Sequence, residues 1–170
     1  MKYKYIKNGL CILLVIISSV AVCPAFAQEK ITDFALVNAH DGKEFKIAEH
    51  RGKGGLIVFG SMYCRPCIQL IPVVNMLFEK YEVSEAVIIG VDIDSSTDNA
   101  VIQKFASEKQ IQFPLLIDTS KLARQLKVFM LPTTLIFDKD GIVVKRFIGF
   151  QKYSVLENEL EKVKVPKKKP

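Results

Sequence analysis

Two cysteines two residues apart, in the run Cys64-Arg65-Pro66-Cys67, are the side chains of this chain best placed to do chemistry. A thiolate attacks a disulfide to give a mixed disulfide, and a second thiol within reach resolves it. The two-residue gap lets Cys67 swing onto a mixed disulfide held by Cys64. One site could thus exchange two electrons with another protein's disulfide. The surroundings suit that chemistry. An apolar run, Gly55 to Gly60, precedes the pair, and an amphipathic run, Ile68 to Tyr81, follows it. The pattern predicts a buried strand, a short loop, and a helix with the cysteines at its N-terminus. Unpaired N–H groups and the helix dipole favour negative charge there, so the first thiol should ionise more readily than a free cysteine. Arg65 admits two readings. Its charge beside Cys64 would stabilise the thiolate and make the disulfide a better oxidant. Alternatively it is a solvated loop residue whose charge is screened.

The remaining candidates for chemistry are few. The only histidines are His40 and His50, both before the Cys pair, and there is no second CxxC. A zinc site needs four ligands, so no metal and no cofactor is expected, and both histidines are read as exposed loop residues. The excess of basic over acidic residues is terminal and lacks interleaved aromatics, which argues against a nucleic-acid reader.

The N-terminus has the pattern of a secretory signal. Lys2, Lys4 and Lys7 precede an apolar core of 13 residues, Leu10 to Val22, and Ala25-Phe26-Ala27 fits the cleavage rule. The core is short of the roughly 20 residues a spanning helix needs. Cleavage after Ala27 is expected, with an uncleaved anchor as the alternative. The chain then divides into a signal, 1–27, a domain, 28–164, and a basic tail, 165–170. Cys11 and Cys23 leave with the signal, so the mature 143 residues keep only Cys64 and Cys67. An exported domain stapled by disulfides usually carries several pairs far apart in sequence. A lone pair three positions apart suits redox exchange better. The mature chain has 21 basic and 18 acidic residues, and five of its lysines lie in the last nine positions. The basic pI of about 9.1 therefore reflects the ends of the chain, not a basic surface.

Strand and helix signals alternate along the mature chain. Phe34 to Ala39 and Lys43 to Ile47 flank Asp41-Gly42 as a hairpin. Strands follow at Gly55 to Gly60, Ala86 to Val91 and Phe113 to Ile117. Helices fall at Ile68 to Tyr81, with a kink expected at Pro72, at Asn99 to Gln110, and at Lys121 to Leu126. Asp92 to Thr97 reads as a polar loop. Thr133 to Phe137 and Ile142 to Phe147 form a second hairpin, and Tyr153 to Val163 a closing helix. Apolar runs separated by helices imply a parallel core with an antiparallel edge.

This order, the Cys64-Arg65-Pro66-Cys67 motif, Pro72 eight residues after Cys64, and Leu131-Pro132-Thr133-Thr134 before the last hairpin together resemble the thioredoxin fold. More narrowly, the chain is similar to exported thiol-disulfide oxidoreductases of the TlpA/ResA type, over nearly all of Ile31 to Val163. The resemblance implies an α/β fold with a central mixed sheet, an added N-terminal hairpin and an inserted helix–strand segment. It implies Cys64 as nucleophile and Cys67 as resolving thiol of a redox-active disulfide, with Pro66 stiffening the loop. Pro132 would be a cis proline facing the thiols, and Leu131 and Thr133 would help present a backbone edge to substrate. With no extra dimerisation domain in the sequence, a monomer is the default expectation, and the signal pattern places it in the periplasm or at the extracytoplasmic face of the membrane. The partners that the resemblance implies would be protein disulfides, apocytochrome c among them, and a membrane electron donor. An oxidant, an isomerase and a thiol peroxidase are the neighbouring readings, and a copper carrier a more distant one. The chain departs from the pattern at three places. Tyr63 stands where the family has Trp, Val58 where thioredoxin has a buried Asp, and Leu70 where many ResA-like proteins have Glu. The proton acceptor for Cys67 is thereby left without an assignment.

Overall fold

The computed structural model describes residues 28–81, 83–94 and 98–166. The expected signal segment and the last four residues of the basic tail lie outside the described residues.

β1 (Ala35–Asn38) and β2 (Glu44–Lys46) form the first hairpin. Its turn uses Gly42 at φ +71°, a left-handed conformation that glycine adopts without cost. A single 3-10 turn, Ile47–His50, follows, with Ile47 buried. Four residues leave no period to read, which is why the sequence pattern did not announce it. β3 (Gly55–Gly60) leads to α1 (Arg65–Lys80), then β4 (Val87–Asp92), α2 (Asn99–Glu108), β5 (Leu115–Ile117) and α3 (Leu122–Gln125). β6 (Thr133–Phe137), β7 (Val143–Ile148) and α4 (Tyr153–Val163) close the chain.

The seven strands lie in the order β2-β1-β5-β4-β3-β6-β7. β5, β4 and β3 run parallel, and the strands on both flanks are antiparallel. The mixed sheet expected from the resemblance is present, and the added hairpin joins it through the inserted strand β5. Because β3 and β4 are covered on both faces, they read as continuous apolar runs rather than alternations. Leu56, Val58 and Ile88 face a core with residues of α1, α2 and α4. Ile57, Phe59, Ile89 and Val91 face the other, with α3 and the segment holding Ile31 and Phe34.

α1 buries Cys67, Leu70, Ile71, Val74 and Leu77 at helical spacing. Each fully buried aliphatic side chain contributes about 1.5–3 kcal/mol relative to exposure. The helix is continuous through Pro72, whose ring is exposed. Lys80 meets Glu157 at 2.6 Å, and the Tyr81 hydroxyl donates to Glu161, which ties the end of α1 to α4. With that end fixed, the other end of α1, where the cysteines lie, has a defined position over β3.

Candidate active site

Cys64 is the N-cap of α1, with extended backbone at φ −91° and ψ 104°. Its Sγ accepts a hydrogen bond from the Cys67 N–H at 3.3 Å. This is the capping role that Ser or Asp usually fills, here given to a sulfur. Pro66 falls in the first turn, where its missing N–H leaves no bond unmade. The loop before the helix is closed by Ser61, whose carbonyl accepts from Cys64 N at 3.0 Å and whose Oγ accepts from Tyr63 N at 3.1 Å. Cys64 and Cys67 are joined in a disulfide, with Cα atoms 5.2 Å apart. Cys64 is half-buried and Cys67 is buried.

Arg65 is exposed and forms no ion pair among the described residues. Tyr63, directly before Cys64, is 73% exposed. The Leu131–Pro132 peptide bond is cis. Thr133 pairs with Phe59 in the β3–β6 ladder, so this loop reaches the end of the sheet from which the Cys loop departs. Thr133 Oγ1 donates to the Met130 carbonyl at 2.7 Å, and the Pro132 carbonyl accepts from Gly149 N at 2.8 Å. Between them, the backbone of Leu131 meets no other backbone group among the described residues. Phe129 and Met130 are 84% and 61% exposed, and Ile148, across from Thr133, is exposed as well. The sulfurs thus sit at an end of the sheet with an apolar rim.

The expected loop from Asp92 begins later than its composition implied. Asp92 is the last residue of β4 and is 2% exposed. Its Oδ2 accepts from Met62 N at 3.2 Å and its Oδ1 from Asp94 N at 2.9 Å. Burial pushes this carboxyl above the ordinary carboxylate range. The Asp94 charge adds to that effect, while the two backbone donors oppose it. A buried carboxylate therefore does exist in this region, although Val58 and Leu70 are both buried and apolar. The signal that could have found it is an acid ending an apolar run on the strand beside β3. The other buried acid near this end, Asp118, accepts from Leu122 N at 2.6 Å and Ala123 N at 2.9 Å, capping α3.

The histidines are less exposed than expected. His40 Nε2 lies 3.0 Å from the Phe113 carbonyl, and His50 stacks on Phe45 at 4.8 Å between centroids. Among the described residues no group of three His, Cys, Asp or Glu could hold a metal ion.

Residues 27–146 match the model of the AhpC/TSA family. The thiol-disulfide oxidoreductase ResA of Bacillus cereus is 33% identical over 124 residues, which cover 72% of this chain and 70% of that protein. A crystal structure of a thiol:disulfide interchange protein of the thioredoxin family from Chlorobium tepidum TLS is similar at a TM-score of 0.71 and 19% identity, covering 80% of this chain and 96% of that one. The exposed lipoprotein thioredoxin from Streptococcus pneumoniae strain TIGR4 is similar at a TM-score of 0.66 and 22% identity, covering 78% of this chain and all of that one (100%).

Proposed function

This chain belongs to the AhpC/TSA family and is a thiol-disulfide oxidoreductase of the ResA type, and from that premise we propose that it is an exported reductase of protein disulfides. Cys64 attacks the substrate disulfide, and Cys67 attacks Cys64 Sγ to release the second substrate thiol. The observation that carries these roles is the contrast between the two sulfurs: one half-exposed and capping a helix, the other buried behind it. The helix N-terminus stabilises thiolate at the first position. Leu131, with its backbone unengaged beside Pro132 and Thr133, offers an edge on which an extended substrate segment can pair. Phe129 and Met130, which directly precede Leu131, add exposed apolar surface, and Tyr63 adds more beside Cys64.

Export rests on the sequence of the first 27 residues, and the domain on 28–164. As substrate we propose apocytochrome c, and as donor a membrane thiol-disulfide protein that returns the site to the dithiol, both from the resemblance of the sequence to TlpA/ResA-type oxidoreductases. A peroxidase reading needs a proline where Ile57 stands, and Ile57 is buried in the middle of β3. Hydrogen peroxide should therefore not be turned over.

Reduction of insulin disulfides with dithiothreitol as donor tests the assignment. The wild type should accelerate the reaction, Cys64→Ser should not, and Cys67→Ser should accumulate a mixed disulfide. Full activity in Cys64→Ser would overturn it.

A further inference from the structure

Resolution by Cys67 requires a thiol that is only 9% exposed to lose its proton. Val58 and Leu70 cannot take that proton. The sheet supplies another group. Gly60 and Asp92 are register partners on the parallel strands β3 and β4. Side chains at such paired positions point to the same face of a sheet. At Gly60 that face meets the thiol: a Cβ placed there would lie 3.3 Å from Cys67 Cβ and 3.6 Å from its Sγ. Asp92 projects to this face one strand away, a spacing of about 4.8 Å. Because residue 60 is glycine, it places no side chain between them. A cavity of about 40 Å³ is lined by Cys67 and Asp92 together, with Gly60, Ser61, Ile68 and Phe113 on its walls. A water needs roughly 10–15 Å³ of such space, so the cavity has room for one.

We infer that Asp92 is the proton acceptor for Cys67, acting across this cavity. The inference rests on the reading of Cys67 as resolving thiol. In the step, the Cys67 proton passes through water to the Asp92 carboxylate. The Cys67 sulfur bonds to Cys64 Sγ, and the bond from Cys64 to the substrate sulfur breaks. The electron pair leaves on the substrate thiolate, which is protonated from solvent. The protein dithiol is oxidised to the disulfide and the substrate disulfide is reduced to two thiols. When a donor reduces the site again, the carboxyl returns the proton.

Its surroundings suit the task. Burial and the Asp94 carboxylate, itself bonded to Ser61 Oγ, hold the Asp92 carboxyl nearer the range of a thiol than an exposed acid. A smaller mismatch makes transfer more efficient. At the start of α1 lie the two sulfurs and the exposed Arg65. Beyond β5, Asp118 is turned to the amides of α3.

Asp92 also receives two backbone N–H groups, so the test must separate proton transfer from loop geometry. Reduced wild type and Asp92→Asn are mixed with 5,5′-dithiobis(2-nitrobenzoate) in a stopped-flow instrument. Attack by Cys64 releases one thionitrobenzoate and resolution by Cys67 a second. The first release should be unchanged in Asp92→Asn. The second should slow at least about tenfold near pH 7 and lose an inflection from its pH profile, in line with a general base worth 10²–10⁴. An unchanged second release overturns the inference, and so does an equal slowing of both. A wild type that gives no second release overturns the role of Cys67 itself. Should the variant not fold, carbon-13 NMR of the wild type decides: the Asp92 carboxyl should titrate at different pH in the oxidised and reduced protein. Coincident curves would overturn the inference.

Discussion

Cys64 and Cys67 lie within one helical turn yet differ in what sets a thiol's behaviour. Cys64 caps the helix and is reachable; Cys67 is buried against Gly60. Arg65 is exposed and without an ion-pair partner among the described residues, which leaves its charge free to act on Cys64. Arg65→Glu should raise the pH at which Cys64 becomes reactive to iodoacetamide; an unchanged profile would make Arg65 a solvated bystander. Asp92 carries a stability signature as well. Its folded pKa is raised by burial. Above the ordinary carboxylate range, and up to its own higher value, the folded protein holds a proton that the unfolded chain has released. Stability from this group therefore falls as pH rises through that window. Asparagine does not ionise, so the melting temperature of oxidised Asp92→Asn, relative to wild type, should climb between pH 3 and pH 7. A relative fall would contradict a buried, reluctantly charged Asp92.

At the scale of elements, the site is a junction where β3 ends, α1 begins, and β4 and β6 flank. β3 and α4 carry the bounds their apolar patterns predict, and the cysteines fall at the helix start as their position implies. Those features are local: a run of buried residues or a 3.6-residue period is written in consecutive positions. Asp92 was not legible in the same way. Which strand sits beside β3, and in which register, is decided by long-range packing, so the pairing of Gly60 with Asp92 appears only in the folded sheet. The fold type and the CxxC could be read locally; the acid ending the apolar run at Asp92 was visible too, but its place beside Cys67 needed the strand order and register. The glycine is the element-scale test. A methyl at residue 60 would press on Cys67 Cβ at 3.3 Å and narrow the cavity. Gly60→Ala should cost about 1–3 kcal/mol in urea unfolding, as overpacking does. It should also slow the second thionitrobenzoate release. A variant as stable and as fast as wild type would show that the gap has no role.

Across the whole molecule, the fold holds the segment that follows the expected cleavage site. Val143 N donates to the Glu29 carbonyl and Ile31 N to the Gly141 carbonyl, both at 2.8 Å. Arg146 Nη2 donates to both Glu29 carboxylate oxygens and to the Leu126 carbonyl, each at 2.7 Å. A mature chain beginning at Gln28 would thus be anchored from its second residue, and if export and cleavage occur as proposed, N-terminal sequencing of the protein expressed from the full sequence should read Gln28-Glu29-Lys30. A start at Met1 would favour the anchor. The central claim, a reductase working through one dithiol, is tested most directly by the reduction potential of the Cys64–Cys67 couple. Equilibration of residues 28–170 with dithiothreitol or glutathione buffers, read by alkylation, should give a single two-electron transition near or below about −250 mV. A value around −120 to −180 mV would mark an oxidant or isomerase and contradict the reductase reading.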